Sequence, residues 1–255
     1  IGIQMFGGEE DAMVQSAQII EKANPDIIDI NYGCPVQKVV CKMAGAGILQ
    51  DINKMIRLTD QVVKATNKPV TVKTRLGWDE QTKNIVEVAE RLQDIGIQAL
   101  SIHGRTRKQM YKGEADWTLM AEIKNNPRIH IPIFGNGDID SPQKALEYKN
   151  RYGIDGIMIG RAAIGYPWIF NQVKAFLKDG TILPHPTISD RIEAMKIHLE
   201  KSIEWKGERV GINEMRPHYT NYLKGIPHIK PYRARIVTSL DVNEIHSIFA
   251  EMSEE

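Results

Sequence analysis

Residues 26–51 have the sequence DIIDINYGCPVQKVVCKMAGAGILQD, which contains both a strand pattern and a candidate reactive group. The alternating apolar run at 27–31 predicts a β-strand, and YGCP at 32–35 predicts a tight turn directly after it. In parallel α/β proteins the chemistry lies at the carboxyl ends of the strands. Cys34 is therefore a candidate acid or nucleophile. The alternative is a small buried residue, because free cysteines are among the most frequently buried side chains.

Strand-like and helix-like segments alternate on both sides of this stretch. Strands are predicted at residues 1–6, 27–31, 69–74, 99–103, 131–136 and 156–160, with a helical pattern after each. Regular alternation of this kind predicts a parallel sheet covered by helices. No Gly-x-Gly-x-x-Gly follows the first strand, so a TIM (β/α)8 barrel is favoured over a dinucleotide-binding sheet. The chain begins inside a strand pattern, and we expect the first two βα units of the barrel to be missing.

The alternation stops at about residue 188, and purely helical patterns follow. Helices are predicted at 188–206, 212–223, 232–239 and 242–252. This pattern predicts a C-terminal α-helical bundle domain appended to the barrel. The stretch 178–186 contains one glycine and two prolines and is the predicted linker. We therefore expect a catalytic barrel at residues 1–180 and a helical domain at 187–255.

Composition and charge are those of an ordinary globular protein, since 42% of the 255 residues are hydrophobic and 25% are charged. The sequence contains no membrane-spanning pattern and opens on no signal peptide, and its two cysteines, Cys34 and Cys41, cannot form a disulfide framework. A cytoplasmic location is therefore expected. The net charge is +1, but residues 190–236 carry ten Lys or Arg against six Asp or Glu. This basic excess fits either nucleic-acid contact or a solvated surface.

Polar side chains stand at the carboxyl end of every predicted strand. They are Gln4; Asn31 and Cys34; Lys73 and Arg75; His103 and Arg105; Asn136 and Asp138; and Gly160 with Arg161. A single polar residue at such a position is commonly a cap or a solvated loop residue. Six sets in register predict a ligand site at the barrel mouth. Lys73 is suited to an anionic ring, whereas His103 fits either a donor to a ring oxygen or a structural hydrogen bond.

Two of these turns contain glycine. GNGD at 135–138 and Gly160-Arg161 come after the last two predicted strands, where (β/α)8 barrels bind phosphate through loop amides and a helix N-terminus. Arg161 would add a charge-assisted contact to a phosphate. The expected ligand is therefore a phosphate-bearing molecule whose ring is surrounded by polar donors.

Seven motifs in combination resemble the tRNA-dihydrouridine synthase family, most closely its bacterial B-type branch. They are QMFG (4–7), INYGCPVQKV (30–39), AGAGIL (44–49), VTVKTRLGW (70–78), SIHGRTRKQMYKGEADW (101–117), GNGDI (135–139) and MIGRAAIGYPWIF (158–170). The resemblance spans essentially the whole chain, whereas GNGD and IGR alone occur in many barrels. The N-terminal portion of the family, with its first two barrel strands, is expected to be absent here.

The resemblance implies an FMN enzyme that reduces the C5–C6 double bond of specific tRNA uridines to 5,6-dihydrouridine, with NADPH as electron source. It also implies that the reduced flavin gives a hydride to C6 and that Cys34 protonates C5 from the other face of the base. Flavin-ring contacts are implied for Gln4, Lys73 and His103, and ribityl and phosphate contacts for Asn136, Gly137, Asp138, Gly160 and Arg161. Base contacts are implied for Asn31, Arg75 and Arg105. No metal, membrane or obligate protein partner is implied.

In the helical region, MRPHYTNYLKGIP (215–227) resembles the tRNA-binding segment of the family. RNA contacts are implied for Arg216, His218, Tyr222 and Lys224. Pro217 stands where a basic residue is common in the family. Tyr219 is predicted to be a core residue, while Tyr222 fits either the core or stacking on a base.

Three other functions share parts of this pattern. A flavin barrel acting on a free small molecule such as a pyrimidine would share the barrel and the phosphate end, but not the basic helical region. An RNA-binding protein without catalysis would keep the helical region, although Cys34, Lys73 and His103 argue against it. An aldolase-type barrel without flavin would use Lys73 as a Schiff-base residue.

Overall fold

A computed structural model describes residues 1–253 of the chain. The chain forms two compact units. The first contains residues 1–139 and 144–159, and the second contains residues 140–143 and the chain from Gly160 onward. Each unit has its own secondary structure and its own buried residues.

The first unit is built on a six-stranded parallel sheet. Its strands are β1 (Gly2–Met5), β2 (Ile27–Asn31), β3 (Val70–Arg75), β4 (Ala99–His103), β5 (Ile133–Asn136) and β6 (Gly156–Met158). Each strand pairs with the next one along the chain, so the spatial order runs from β1 to β6 without reversal. This is the strand order of a TIM barrel, and it differs from the 3-2-1-4-5-6 order of a dinucleotide-binding sheet. The prediction of a barrel-type α/β fold is confirmed.

Helices follow the strands, as the alternating pattern predicts. They are α1 (Glu10–Lys22), α2 (Gln37–Val40), α3 (Ile52–Lys64), α4 (Ile85–Asp94), α5 (Thr118–Asn125) and α6 (Pro142–Tyr152), with short 3₁₀ turns at Gly45–Gln50, Glu80–Thr82 and Arg161–Ala163. Helix α3 begins after Asp51, whose side chain accepts a hydrogen bond from the Lys54 N–H at 2.9 Å. Its Met55, Leu58 and Val62 are fully buried and recur at the spacing of one helix face.

Alternation along the strands separates an apolar face from a polar one. The apolar positions are almost fully buried, and they include Ile28, Ile30, Val70, Val72, Leu100 and Ile102. Successive side chains of a strand point to opposite faces of the sheet. The residues between them form what we call the polar face, which consists of Gln4, Asp29, Asn31, Thr71, Lys73, Ser101, His103 and Asn136. This face positions the candidate site.

The segment after Cys34 is more helical than the sequence predicts. It contains the short helix α2 and the 3₁₀ turn Gly45–Gln50, which the AGAG run begins. A Cβ added at Gly47 would lie 2.5 Å from the Val40 carbonyl oxygen, so only glycine permits this approach of two backbones. The small residues therefore serve the packing of the loop onto itself.

The second unit contains α7 (Ile169–Asp179) and a bundle of α8 (Ile188–Lys206), α9 (Glu208–Tyr222), α10 (Lys230–Thr238) and α11 (Val242–Ser253). Helix α8 has the predicted bounds, and its N-terminus is closed by a capping box in which Thr187 and Asp190 each bond the other's backbone N–H. Leu199, Met215 and Phe249 are fully buried in the bundle core. The predicted helical bundle is confirmed.

The predicted linker, residues 178–186, connects α7 to α8 inside the second unit. Helix α7 belongs by its packing to this unit, although its sequence continues the βα alternation of the first. A division of roles between residues 1–180 and 187–255 stays a prediction. Within residues 1–253, every helix is too short or too polar to cross a membrane.

Candidate active site

The register of the sheet places the polar strand-end residues side by side. The paired positions are Gln4 with Asp29, Asn31 with Lys73, Arg75 with His103, and His103 with Asn136. Residues paired in a parallel ladder point to the same face, so all of these side chains share one face near the carboxyl edge of the sheet. This clustering is the one predicted from the strand ends in the sequence.

Asp29 organises the part of the polar face that lies on the first three strands. Its carboxylate accepts a hydrogen bond from Gln4 Nε2 at 2.6 Å and another from Thr71 Oγ1 at 2.7 Å. Gln4 Oε1 in turn accepts a hydrogen bond from Asn31 Nδ2 at 2.8 Å. Side-chain bonds therefore link the three strands, and they hold two of the predicted ligand contacts, Gln4 and Asn31, against each other.

The Cys34 turn is fixed by hydrogen bonds to its backbone. Asn31 Oδ1 accepts from the N–H of Gly33 at 2.9 Å and from the N–H of Cys34 at 3.0 Å, an arrangement in which an Asn side chain closes a turn. The Cys34 carbonyl oxygen accepts from the Ala46 N–H at 2.9 Å. The Cys34 side chain is half-buried. A thiol held at a strand end and open to solvent on one side fits the predicted acid better than the buried alternative.

Tyr32 anchors the start of this turn in the protein interior. Its ring is fully buried, and its hydroxyl lies 2.9 Å from Thr59 Oγ1 on α3. Burial raises the pKa of the Tyr32 hydroxyl well above its ordinary value, so the group stays protonated at all physiological pH values. The turn is thereby tied to the helix layer as well as to the sheet.

Arg75 joins the Cys34 turn to the loop after β4. It is 2% exposed, and its Nε donates to the Gly33 carbonyl oxygen at 2.7 Å. Its Nη1 donates to the carbonyl oxygens of Thr106 at 3.1 Å and Met110 at 2.9 Å. Burial lowers the pKa of Arg75 to about 10, which leaves the guanidinium charged at neutral pH. Most of its donors are used inside the protein, and the implied base contact stays a prediction.

Arg107 holds the turn from its other side. Its Nη2 lies 2.7 Å from Gln37 Oε1 and 3.4 Å from the Pro35 carbonyl oxygen. Together with Arg75 it donates to the carbonyl groups of the residues immediately before and after Cys34. Arg107 is not among the predicted site residues, because nothing in the local sequence pattern distinguishes it from the neighbouring loop cations.

Lys73 places its ammonium group beside the Cys34 turn. A Cβ added at Gly33 would lie 3.6 Å from Lys73 Nζ. Burial lowers the pKa of Lys73, the charge of Arg75 lowers it further, and Asp29 and Cys34 oppose the shift. Among the described residues, no carboxylate lies within 4 Å of this ammonium group. A half-buried cation without an anionic partner is suited to an electron-rich or anionic ligand.

His103 lies on the polar face in a cationic environment. It is 6% exposed, and burial, followed by the charges of Arg75, Lys73 and Arg105, lowers its pKa to about 3. The ring is therefore neutral at physiological pH. Its Nε2 lies 3.5 Å from Arg105 Nη1. Because a guanidinium only donates, Nε2 faces a donor and Nδ1 is the nitrogen that carries the hydrogen.

Asp138, which is half-buried, forms an ion pair with the buried Arg105. The two groups are bidentate, with distances of 2.8 Å from Nη1 and 2.7 Å from Nη2 to the two carboxylate oxygens. The same carboxylate accepts from the Ala115 N–H at 2.8 Å. Asp138 and Arg105, predicted to touch the ribityl chain and the base, thus fasten the loop after β4 to the turn after β5. Direct ligand contacts of these two residues stay predictions.

The glycines of GNGD have a packing role. A Cβ added at Gly135 would lie 2.0 Å from the ring of Trp117, and one added at Gly137 would lie 2.6 Å from the Ala115 side chain. Asn136 Nδ2 donates to the Met158 carbonyl oxygen at 2.8 Å, which joins the ends of β5 and β6. Phosphate binding by this turn stays a prediction, and the close approach of Trp117 and Ala115 is a second reason for its glycines.

Gly160 and Arg161 belong to the second unit. Gly160 precedes the 3₁₀ turn Arg161–Ala163, and the Arg161 side chain is exposed. Phosphate contacts of this pair stay a prediction.

The predicted RNA contacts of the second unit differ in exposure. Lys224 is exposed, whereas Arg216 is half-buried and its Nη2 lies 3.5 Å from the Thr238 carbonyl oxygen. Tyr222 is 7% exposed and belongs to the bundle core. Its ring has little free surface for stacking, and the RNA contact implied for it stays a prediction. Tyr219 is fully buried, as predicted.

Sequence comparison identifies related proteins along almost the entire chain. The family model described as dihydrouridine synthase matches residues 1–252. The tRNA-dihydrouridine synthase B of Pseudomonas aeruginosa is 38% identical over 253 residues, which cover 98% of this chain and 76% of that protein. The tRNA-dihydrouridine synthase B of Vibrio cholerae is 41% identical over 222 residues, or 87% of this chain and 68% of that protein. A probable tRNA-dihydrouridine synthase of Rickettsia prowazekii is 35% identical over 249 residues, or 98% of this chain and 76% of that protein.

Structural comparison gives a more distant likeness. The structure of 6-hydroxypseudooxynicotine amine oxidase from Pseudomonas geniculata N1 superimposes with a TM-score of 0.50 and 17% sequence identity. The match covers 67% of this chain and 29% of that one. At this identity the likeness concerns the fold alone.

Proposed function

The chain belongs to the dihydrouridine synthase family, and from this premise we propose that it reduces the C5–C6 double bond of specific tRNA uridines to dihydrouridine, with FMN as its cofactor and NADPH as the electron source. The observation that carries the proposal is the placement of Cys34. Its half-buried thiol lies at the carboxyl edge of the sheet, on a turn whose backbone is held by Asn31, Arg75 and Arg107. Lys73, a half-buried cation, stands beside it.

The residues of the polar face fit a flavin ring. Lys73 lacks an anionic partner among the described residues, so it can meet the electron-rich edge of such a ring. Gln4 is bonded through one amide hydrogen and keeps a second for a ring atom. His103 is neutral and offers a hydrogen on Nδ1. Bound FMN, reduced by NADPH, would supply a hydride equivalent for uracil C6.

Asn31 and Cys34 act on the base. The target uracil must leave its stack to enter the site, and an Asn31 amide hydrogen is suited to one of its carbonyl oxygens. The Cys34 S–H then gives its proton to C5 as C6 receives the hydride, so that one hydride and one proton saturate the double bond. The thiolate left on Cys34 regains a proton from solvent, which its half-buried position permits. Orientation of thiol and base is the contribution of the turn.

Contacts with the rest of the cofactor and with the tRNA complete the proposal. Asn136 and Gly137 are proposed to contact the ribityl chain, with Asp138 supporting them through Arg105. The phosphate contacts implied for Gly160 and Arg161, which belong to the second unit, stay predictions. In the C-terminal region, 187–255, the exposed Lys224 and the partly exposed Arg216 are proposed to contact tRNA phosphates. Arg75 would contact the base through Nη2, because its Nε and Nη1 donate inside the protein. The donors of Arg105 face Lys112, Gly113, Asp138 and His103, so a base contact of Arg105 would require it to give up one of these partners.

A single assay tests the reaction and the acid together. The protein is incubated with FMN, NADPH and an unmodified tRNA transcript, and the digested tRNA is analysed by mass spectrometry for a uridine that has gained two hydrogens. We expect this product from the parent protein and a loss of about 10²–10⁴-fold in rate from Cys34→Ala, the range that general acid catalysis supplies. Flavin reduction by NADPH without any change in the tRNA would indicate a small-molecule substrate. Absence of bound flavin would contradict both oxidoreductase functions.

A further inference from the structure

The side chains of Asp29, Gln4 and Asn31 form a continuous hydrogen-bond chain that ends on the Cys34 turn. Gln4 Nε2 donates to Asp29 at 2.6 Å, Asn31 Nδ2 donates to Gln4 at 2.8 Å, and the Cys34 N–H donates to Asn31 at 3.0 Å. Thr71 completes the chain at its other end with a 2.7 Å bond to the second Asp29 oxygen. Every donor in the chain points toward Asp29.

The direction of this chain is determined at both ends. A carboxylate has no hydrogen to donate, so Gln4 must turn its NH₂ group toward Asp29 and its oxygen toward Asn31. The backbone N–H groups of Gly33 and Cys34 can only donate, so Asn31 must turn its oxygen toward them and its NH₂ toward Gln4. Both ends require the same orientation of the two amides. A 180° rotation of either amide would place a donor against a donor or an acceptor against an acceptor.

We propose that Asp29 is a positioning residue that fixes the orientation of the Gln4 and Asn31 amides, so that each presents an N–H and no acceptor to the bound rings. Within this hydrogen-bond chain, both amide oxygens accept hydrogen bonds, and each NH₂ group donates one of its two hydrogens. One hydrogen on each residue is left for a ligand. The ligand atoms that suit these two residues are therefore acceptors, such as ring carbonyl oxygens.

This orientation also supplies a physical basis for the choice of base, and here the inference rests on the proposed function. Both exocyclic groups of uracil are carbonyl oxygens, which accept hydrogen bonds from such donors. Cytosine replaces one of them with an amino group, which donates. An Asn31 side chain that can only donate would place its N–H against the donating amino group of cytosine. Both donors would then lack a hydrogen-bond acceptor, which lowers the affinity for cytosine. Asp29 thus acts on base selection through two intervening amides.

Exchanging the acid and the amide tests the direction of the chain. Asp29→Asn replaces a carboxylate, which can only accept, with an amide that can also donate. Gln4 then loses its charged partner, and its side-chain amide can rotate by 180°. Gln4→Glu places a second carboxylate against Asp29, and the repulsion between the two carboxylates moves the side chain at position 4 away from both Asp29 and Asn31. The double variant Asp29→Asn with Gln4→Glu reverses the bond between positions 29 and 4 but restores the orientation of Asn31, because the amide introduced at position 29 donates to the carboxylate introduced at position 4, and that carboxylate accepts from Asn31 as the parent glutamine does. Its net charge equals that of the parent.

The readout is the state of the Cys34 turn, measured without tRNA or turnover. The iodoacetamide alkylation rate of Cys34 is followed by peptide mass spectrometry in a Cys41→Ser background, with the bound cofactor retained. We expect a rate about tenfold higher in Asp29→Asn and in Gln4→Glu, the change that loss of one charge-assisted hydrogen bond supports. We expect the double variant to return to within about twofold of the parent. Asp60→Asn, which removes a half-buried carboxylate on α3 that pairs with Lys64, serves as the matched control and should leave the rate unchanged.

A second measurement observes the amide itself. In protein labelled with ¹⁵N and ¹³C, coupling across the hydrogen bond between the Cys34 N–H and the Asn31 side-chain carbonyl should be present in the parent and in the double variant, and lost in both single variants. An Asp29→Asn protein with parental alkylation and parental coupling would overturn the proposal, as would a double variant no better than either single one. Neither readout depends on dihydrouridine formation, so failure of the proposed reaction would leave this test intact.

Discussion

Arg75 Nε lies 2.7 Å from the carbonyl oxygen of Gly33, the residue immediately before Cys34. Arg75 extends from the end of β3, so this bond fixes the candidate acid relative to the sheet rather than to its own loop alone. The same guanidinium donates to Thr106 and Met110 in the loop after β4. A single buried cation therefore determines how two active-site loops lie relative to each other.

The first prediction concerns Arg75 as a structural cation. Arg75→Gln would leave buried carbonyl oxygens without donors, and we expect the free energy of unfolding to fall by about 2–4 kcal/mol, since each lost partner costs about 1–3 kcal/mol. Urea denaturation followed by circular dichroism measures this loss. Arg75→Lys keeps the charge but lacks the planar guanidinium with its several donors, so it should recover only part of the lost free energy of unfolding.

A different outcome would identify Arg75 as a base contact instead. In that case Arg75→Gln would keep the parental free energy of unfolding, and KM for the tRNA would rise. Measuring stability and steady-state kinetics on the same preparation separates the two roles, because the internal bonds act without substrate and a base contact acts only with it.

Arg107 leads to a second prediction. Its Nη2 contacts Gln37 and the Pro35 carbonyl oxygen, and its guanidinium lies over the Trp78 ring at 4.9 Å. We expect Arg107→Gln to slow reoxidation of the reduced flavin by tRNA about tenfold, because the Cys34 turn loses one of its two lateral supports. Reduction of the flavin by NADPH should keep its parental rate. Stopped-flow absorbance resolves the two half-reactions.

The control for Arg107 is a double-mutant cycle. In a Cys34→Ala background, Arg107→Gln should have little further effect on reoxidation if it acts by positioning the thiol. Additive losses would show that Arg107 acts on tRNA directly. Arg128→Gln, which changes an exposed arginine of the first unit that pairs with Glu90, should leave both half-reactions unchanged.

The strand register explains why much of this site can be predicted from sequence. Gln4, Asn31, Lys73 and His103 end apolar strand patterns, and parallel strands with side chains alternating at a period of two must bring such residues to one face. The Cys34 turn follows from local chemistry too, since Asn, Gly and Pro favour turns for reasons that act within a few residues.

Other features depend on contacts between distant segments. Arg107 meets Pro35 across 72 positions of sequence, and Asp138 meets Arg105 across 33. No local pattern distinguishes such pairs from solvated loop charges. Asp29 is a similar case: in sequence it is the polar member of an alternating strand, and only the folded sheet shows that it directs the amides of Gln4 and Asn31.

Gly137 gives a third prediction, on stability. Its φ is +125°, and an added Cβ would lie 2.6 Å from the Ala115 side chain and 3.1 Å from the His103 ring. We expect Gly137→Ala to cost roughly 2–4 kcal/mol, because backbone strain of about 1–3 kcal/mol adds to the clash. Gly153→Ala is the control, since Gly153 also has a positive φ of 65° but nothing within 4 Å of an added Cβ. Equal losses in the two variants would contradict a packing role for Gly137.

His103 provides a fourth prediction, on pH. Its folded pKa of about 3 lies below the ordinary value of 6.5, so between these values the unfolded chain binds a proton that the folded protein does not. Stability therefore falls as the pH is lowered from about 6.5 toward 3, and His103 contributes a slope of up to about 1.4 kcal/mol per pH unit. The free energy of unfolding of His103→Gln should have a shallower slope over this window. A His103 ring that titrates by NMR near pH 6.5 would refute the prediction.

Lys224 tests the proposed contact with tRNA. It is exposed in the turn that follows α9, and removal of one phosphate contact should weaken binding and reduce the slope of log Kd against log salt concentration by about one. We expect this of Lys224→Gln, measured by filter binding over a range of potassium chloride concentrations. Lys178→Gln, in an exposed lysine at the end of α7, is the matched control. If both variants reduce the slope equally, the second unit attracts tRNA through its overall charge, and the prediction of a specific contact at Lys224 is wrong.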